Sequence, residues 1–489
     1  MAAVGGMIAA DSAETIEASD CILLPGFVDT HRHTWQSLLR STAVDWTLGQ
    51  YFAGVRGVMG RAFTADDMYV GNYVGALEAL DAGITTIYDY SHNNNSPDHA
   101  DAAVRGLKDS GIRAVFGYGN SNDEWVPVSD KPTQFDDLVQ VCATHFASDD
   151  QLVTMAFAPR GPQYATMART IEDFHRAREL ALPVTVHVGD GLWGMNGLLL
   201  QLKQHDLLLP GTLYVHGNQL RDEEFRLMAE SGGTASITPE VELNMGHGFL
   251  ATFKLLSAGI SPSIGIDVVT SIGGDMFGAM KILLTGSRAV INDQALKEKR
   301  LVDPLPLMAS DVLRFATFEG AKAGKLEKKV GVIRPGFEAD LVLIRCNTLN
   351  LIPMSNPIGA VVECAHVGNI DSVFVQGRAM KRHGKLIHVD VASLARRVNA
   401  QRDALYARVR RADRWVLAAD AAPRGFCLIV GIARSGARKG RRPVGPAPLQ
   451  CDRVGGVSSA TLVPLPSARP APPGEPRHGR DRRLGFPAG

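Results

Sequence analysis

The residues best suited to chemistry are histidines and aspartates that recur at the ends of short apolar runs. In "LPGFVDTHRHTWQ" (24–36), Asp29, His31 and His33 follow such a run. His92 closes "ITTIYDYSH", His187 and Asp190 close "LPVTVHVGD", His216 closes "GTLYVHG" and Asp267 closes "ISPSIGID". On an extended segment, residues i and i+2 point to the same side, so His31 and His33 can share one cation. A third imidazole and a carboxylate would complete a nitrogen–oxygen site suited to zinc, or to ferrous iron at similar geometry. Each piece alone has a plainer explanation. An isolated H-x-H is more often a surface or turn feature, His187 a satisfied core histidine, Asp267 a helix cap, and Asp190 a turn residue before Gly191. Their joint placement at strand ends is what points to a metal site.

The elements that must position them read as strands at 21–30, 84–92, 112–119, 152–160, 182–190, 211–217, 233–239 and 260–267. These runs are apolar almost throughout, as parallel strands covered on both faces should be. Helical patterns fall between most of them, at 64–83, 170–181, 221–232 and 249–259. Eight strand–helix units predict a (β/α)₈ barrel over 25–330, a fold that carries its active groups at the C-terminal ends of its strands. A doubly wound open sheet usually needs a Gly-rich phosphate loop after its first strand, and none is present. From Gly331 the pattern changes to short strands separated by turns, a small β-module over 331–389. Residues 1–24 read as a truncated N-terminal part of that module, so that both chain ends build one β-sandwich. Residues 390–421 read as a terminal helix.

The formal net charge of zero hides an asymmetry: 422–489 carries +9 and the rest −9. That tail holds 11 of the 26 prolines and 11 arginines. It reads as a disordered extension rather than an arginine-rich arm for an acidic partner. Zero net charge makes no global case for nucleic acid or membrane. No apolar run approaches the roughly 18 residues of a membrane span, and "MAAVGGMIAADSAE" lacks the basic start of a signal peptide. Six scattered cysteines without a C-x-x-C pair suggest reduced thiols in a cytoplasmic protein. The expected partner is a small-molecule substrate, with the chain in a homo-oligomer, dimer or higher.

"PGFVDTHRH", two further strand-end histidines and "GIDVVTSIGGDMF" resemble the amidohydrolase superfamily. More narrowly, the chain is similar to its cytosine deaminase, adenosylhomocysteine deaminase and triazine hydrolase branch. "VGVIRPGFEADLVLI" and "GRAMKRHGKLI" resemble that branch's β-module and closing strand, and the likeness covers about residues 8 to 400. The resemblance implies that His31, His33, His187 and Asp267 are metal ligands, with Asp267 also the proton acceptor. It implies that His216 orients water or polarises substrate. Relatives with a bridging carboxylated lysine carry it on the fourth strand; "VTMAFAPRG" has none, which implies one divalent ion, zinc before iron. The cation would lower the pKa of a water toward neutrality. Asp267 would take its proton, and His216 would donate toward the developing negative charge. Many deaminases of this branch carry glutamate three residues after the third histidine. Here Asp190 stands there, either as an acid acting through water or as a residue that only orients substrate.

Other positions are more open. His92 lines the pocket or caps the next loop. Glu242 and His247 contact substrate or form a cap entering the helix at 248–259. Trp35, Trp46, Tyr51 and Phe52 wall a pocket for a planar ring or pack the first loop on the barrel, and Trp193 extends the same wall. The absence of any C-x-x-C excludes the other class of zinc deaminase. The expected function is a mononuclear metal-dependent hydrolase of a non-peptide C–N bond, deaminating an aminated heterocycle or cyclic amidine. The rival enzyme reading is displacement of halide or alkylamine, or opening of a cyclic amide. The rival of another class is a metal-free barrel acting as a binding module.

Overall fold

A computed structural model describes residues 1–5, 14–121, 128–148 and 150–412. The run read as one strand at 21–30 is two. β1 (Cys21–Pro25) pairs antiparallel with β10 (Leu341–Arg345), whereas β2 (Phe27–Arg32) enters the barrel. Gly26 makes the break possible. A Cβ there would meet Thr85 Oγ1 at 2.0 Å, and its N–H donates to the Asp340 carbonyl at 2.9 Å.

The remaining barrel strands are β3 (Ile84–Ser91), β4 (Arg113–Gly119), β5 (Val153–Ala158), β6 (Thr185–Val188), β7 (Leu213–His216), β8 (Thr234–Ile237) and β9 (Ser263–Ile264). They form two parallel arcs, β2-β3-β4-β5 and β6-β7-β8-β9. Isolated parallel bridges Phe157↔Val184 and Arg32↔Asp267 join the arcs. The result is a TIM-barrel-like domain. A helix follows each strand: Ala65–Asp81, Pro97–Ser110, Phe135–His145, Met167–Glu179, Leu198–Gln204, Asp222–Glu230, Thr252–Ser257 and Met276–Lys297. Local signals start and stop them. Thr64 and Asp67 form a capping box, the Asp67 carboxylate accepting Thr64 N–H at 2.7 Å. Pro97 opens the next helix, and Gly111 ends it at φ +76°. Strands β3 and β4 are buried along their whole length, as the apolar runs require.

Val28, Tyr88, Val115, Ala156 and Leu213 from five strands cluster with Ala321, Ala323, Leu326 and Val330. Val28 and Tyr88 precede His31 and Tyr90 along their strands, so this cluster fills the barrel end opposite the histidines.

The chain ends build one antiparallel sheet, β1-β10-β11-β12-β13, with β11 (Ile370–Val375), β12 (Arg378–Arg382) and β13 (Lys385–Leu386). The expected two-layer sandwich is not present among the described residues, because the described residues before Cys21 contribute no strand and no second sheet faces the first. A buried pair fastens this sheet to the barrel: Arg113 donates to Asp340 through Nε and Nη2 at 2.9 and 3.0 Å. The terminal helix is described over Val391–Ala412, and the expected arginine- and proline-rich tail lies outside the described residues. No helix among the described residues is long and apolar enough to cross a membrane.

Candidate metal centre

The strand ends bring the histidines and aspartates together as their spacing predicts. β2 delivers His31 and, just beyond its end, His33; β6 delivers His187, and β7 ends on His216. Asp267 follows the two-residue β9 and is stitched to β2 by backbone bonds. Asp267 N–H donates to the His31 carbonyl at 2.7 Å, and His33 N–H to the Asp267 carbonyl at 3.0 Å. All five side chains are buried.

Their ligand atoms converge. Asp267 Oδ1 lies 3.4 Å from His31 Nε2 and 3.3 Å from His33 Nε2, and His187 Nε2 lies 3.3 Å from His31 Nε2. A tetrahedral zinc with bonds of about 2.0–2.2 Å separates its ligand atoms by about 3.3–3.6 Å. The donor set therefore fits one such ion. Burial holds the His31 imidazole down at about 4 against the pull of Asp267, and burial lowers His187 well below its ordinary value. Both rings are thereby kept neutral, with lone pairs available. Against burial, the adjacent His31 and His33 rings hold the Asp267 carboxyl well below the usual range. His33 Nδ1 is 2.8 Å from the Tyr90 carbonyl, so its Nδ1–H donates there and Nε2 faces the cluster.

Three overlapping groups could hold a cation: His31, His187 and His216; His31, His33 and Asp267; and Asp190, His216 and His247. His216 is set apart by its surroundings. Its Nδ1 faces Glu242 Oε1 at 3.3 Å, and its Nε2 faces Asp267 Oδ2 at 3.9 Å. Burial alone would lower its pKa, but Asp190, Glu242 and Asp267 together raise it to about 9. His216 and Asp267 also adopt left-handed backbone conformations, φ 79° and 71°. Such non-glycine conformations cost about 1–3 kcal/mol and collect at functional sites.

A cavity of about 720 Å³, its open mouth included, lies over this cluster. His33, His92, His187, Asp190, His216 and Asp267 line it. His92 stacks on His33 with ring centroids 3.8 Å apart. Its Nδ1 accepts the Trp35 Nε1–H at 3.1 Å, which leaves Nε2 directed elsewhere. Trp35 is fully buried behind His92 rather than in the cavity wall. Trp46 sits in a separate groove with Arg40, Met59 and Tyr406. Glu242 is buried behind His216, and Trp193 packs edge-on to Phe52 outside the wall. Tyr51 and Phe52 do line the cavity.

Arg56, Tyr90, Arg160 and Tyr164 also line it. Arg160 follows the strand-end pattern after β5 and was legible by the same rule. Tyr90 shares the inward face with Tyr88 and His92 by strand alternation. Arg56 projects from a π-helical turn, Phe52–Met59, that no periodicity announces. Behind the site, fully buried Arg32 donates to Asp29 Oδ2 at 2.7 Å, the Gly274 carbonyl at 2.8 Å and Glu78 Oε2 at 3.3 Å.

Known proteins share this architecture. The chain is 26% identical over 402 residues to a 5-methylthioadenosine/S-adenosylhomocysteine deaminase of Pyrococcus furiosus, covering 79% of this chain and 90% of that one. It is 25% identical over 393 residues to a 5'-deoxyadenosine deaminase of Methanobrevibacter smithii, covering 77% and 85%. A zinc-bound adenosine deaminase from Xanthomonas campestris superposes with TM-score 0.70 at 25% identity, covering 79% of this chain and 87% of that one. A zinc complex of atrazine chlorohydrolase from Arthrobacter aurescens shares the fold with TM-score 0.67 at 21% identity, covering 78% and 88%. The amidohydrolase family model matches residues 22–380, across both the barrel and the sheet built from the chain ends. The chain belongs to the amidohydrolase family.

Proposed function

We propose that this chain is a mononuclear metal-dependent hydrolase that deaminates an aminated heterocycle or cyclic amidine. The observation that carries the proposal is the convergence of His31, His33, His187 and Asp267 at ligand-atom separations of 3.3–3.4 Å. These four side chains would hold one divalent ion. Zinc is favoured by the nitrogen–oxygen donor set and by the zinc in similar structures. Such an ion acts as a Lewis acid and brings the pKa of a water toward neutrality.

The chain's own groups supply the remaining chemistry. Asp267, held ionised beside His31 and His33, accepts the water's proton. His216, kept protonated by its three carboxylate neighbours, donates toward the negative charge that develops on the attacked carbon's substituents. Tyr90 and Phe52 narrow the cavity over a flat ring and exclude bulk water. The adenosine-type names of the relatives support a 6-aminopurine nucleoside as the first substrate class to test. Displacement of halide or alkylamine would use the same groups, as would opening of a cyclic amide. The same reading sets the protein in the cytoplasm, consistent with unpaired Cys21, Cys142, Cys346 and Cys364, and in a homo-oligomer.

The test combines metal analysis with ammonia release across a panel of aminated rings. We expect about one equivalent of metal after reconstitution, and loss of both metal and turnover in His187→Ala. Well under one equivalent in the wild type would instead favour a binding module. Turnover without ammonia would favour the displacement or ring-opening chemistry.

A further inference from the structure

Asp190 lines the cavity, with one oxygen hydrogen-bonded and the other facing an imidazole. The Tyr164 hydroxyl donates to Oδ2, and His247 Nδ1 approaches Oδ1 at 3.0 Å. Oδ1 makes no aligned hydrogen bond among the described residues. The His247 contact is within ion-pair reach but off the direction of a hydrogen bond. His247 itself is 1% exposed, lines the cavity and meets His216 edge-on with ring centroids 4.8 Å apart. Its Nε2 is buried without a hydrogen-bond partner among the described residues. An unsatisfied buried polar atom costs about 1–3 kcal/mol. A carboxylate at Nδ1 selects the tautomer with hydrogen on Nδ1, so Nε2 carries a lone pair that can take up a proton and release it.

We propose that His247 is the proton carrier for the leaving nitrogen, with Asp190 as its positioning residue and Tyr164 holding Asp190 in place. The proposal rests on the hydrolase reading above. One water is consumed. Its oxygen and one hydrogen go to the ring carbon, and Asp267 takes the other proton. When the C–N bond breaks, its electron pair stays on nitrogen. His247 Nε2 picks up the proton removed by Asp267 and passes it to that nitrogen, which departs as neutral ammonia. Asp267 and His247 return to their starting states. A group that leaves as a stable anion, such as chloride, takes its electron pair away and needs no such proton.

The difference between leaving groups is the test. The probe pair is the aminated ring turned over fastest in the panel and its chloro counterpart, beginning with 5'-deoxyadenosine and 6-chloropurine 5'-deoxyriboside. For His247→Gln we expect kcat on the amino substrate to fall about 100-fold or more, within the usual range for losing a general acid. On the chloro substrate kcat should change less than about threefold, a proton-independent departure being indifferent to it. Metal content, and product affinity measured by calorimetry, should be unchanged. Asp190→Asn should show the same selectivity with a smaller loss, and added imidazole should rescue His247→Ala on the amino substrate alone. Equal losses on both substrates, a loss confined to KM, or no loss would overturn the proposal. A metal-replete wild type that turns over neither substrate would overturn the hydrolase reading, and this proposal with it, before any variant is compared.

Discussion

Arg32 lies between the two histidines of the H-x-H pair and faces away from them into the protein. Replacing it with methionine keeps much of the volume and removes the guanidinium. Three bonds are lost: to Asp29 Oδ2 at 2.7 Å, Gly274 O at 2.8 Å and Glu78 Oε2 at 3.3 Å. Glu78 keeps a partner, because Arg40 reaches its other oxygen at 2.6 Å. Asp29 does not. It is 0% exposed and retains only the His31 and Ile266 N–H groups, at 3.2 and 3.0 Å. Breaking one side of a buried ion pair costs about 3–5 kcal/mol. For a fold of about 400 residues the unfolding entropy is on the order of 0.8 kcal/mol per degree, so the melting temperature should drop by about 4–6 °C. Asp29 also holds the backbone that carries His31, so metal affinity should weaken about 10–100-fold, as for other supports of metal ligands. Thermal unfolding and a competitive chelator titration measure the two effects. Adding Asp29→Asn to Arg32→Met removes the stranded charge and should recover much of the stability, a coupling of about 2 kcal/mol or more. A single variant that melts within 1 °C of wild type, or strict additivity in the double variant, would refute the reasoning.

Other outcomes follow from packing and burial. Burial, reinforced by Asp275, raises the Glu240 carboxyl from 4.5 to about 7. Between these pH values the unfolded chain releases a proton that the fold retains, so stability falls as pH rises through this window and levels off above it. Glu240→Gln should melt like wild type near pH 4.5 and above it at pH 8, by on the order of 2–3 kcal/mol; melting curves with no pH-dependent gap would count against it. Gly26→Ala should destabilise the fold by about 1–3 kcal/mol through overpacking against Thr85. Thr85→Ala, added to it, should restore most of that loss in the same denaturation assay.

Much of the site was legible because a parallel barrel repeats one rule: strand ends meet at one mouth. The positions of His31, His33, His187, His216 and Asp267 along the chain therefore predicted their meeting. Strand alternation likewise sent Arg32 to the other face. What the periodicity could not show was where extended chain changes partners. The continuous run 21–30 did not show that β1 belongs to one sheet and β2 to another, because its Pro25–Gly26 pair marks a turn without telling which strand lies on either side of it. The last strand looked eight residues long yet pairs over Ser263–Ile264 alone. Beyond it the backbone turns so that Asp267 can bond to the His31 and His33 backbones.

The aromatic residues show the same limit. Composition placed Trp35, Trp46, Tyr51 and Phe52 in one loop, but direction depends on what each side chain packs against. Tyr51 and Phe52 line the cavity, Trp35 lies behind His92, and Trp46 faces another groove. For Asp190, sequence determined the residue type and its place after β6. Only the tertiary structure decided that Tyr164, 26 residues before it, would bond one of its oxygens and that His247, 57 after it, would stand against the other. Local sequence governs which way a strand's side chains alternate. Contacts between distant segments are settled when the whole core packs at once, and that packing decides which ring nitrogen remains for chemistry.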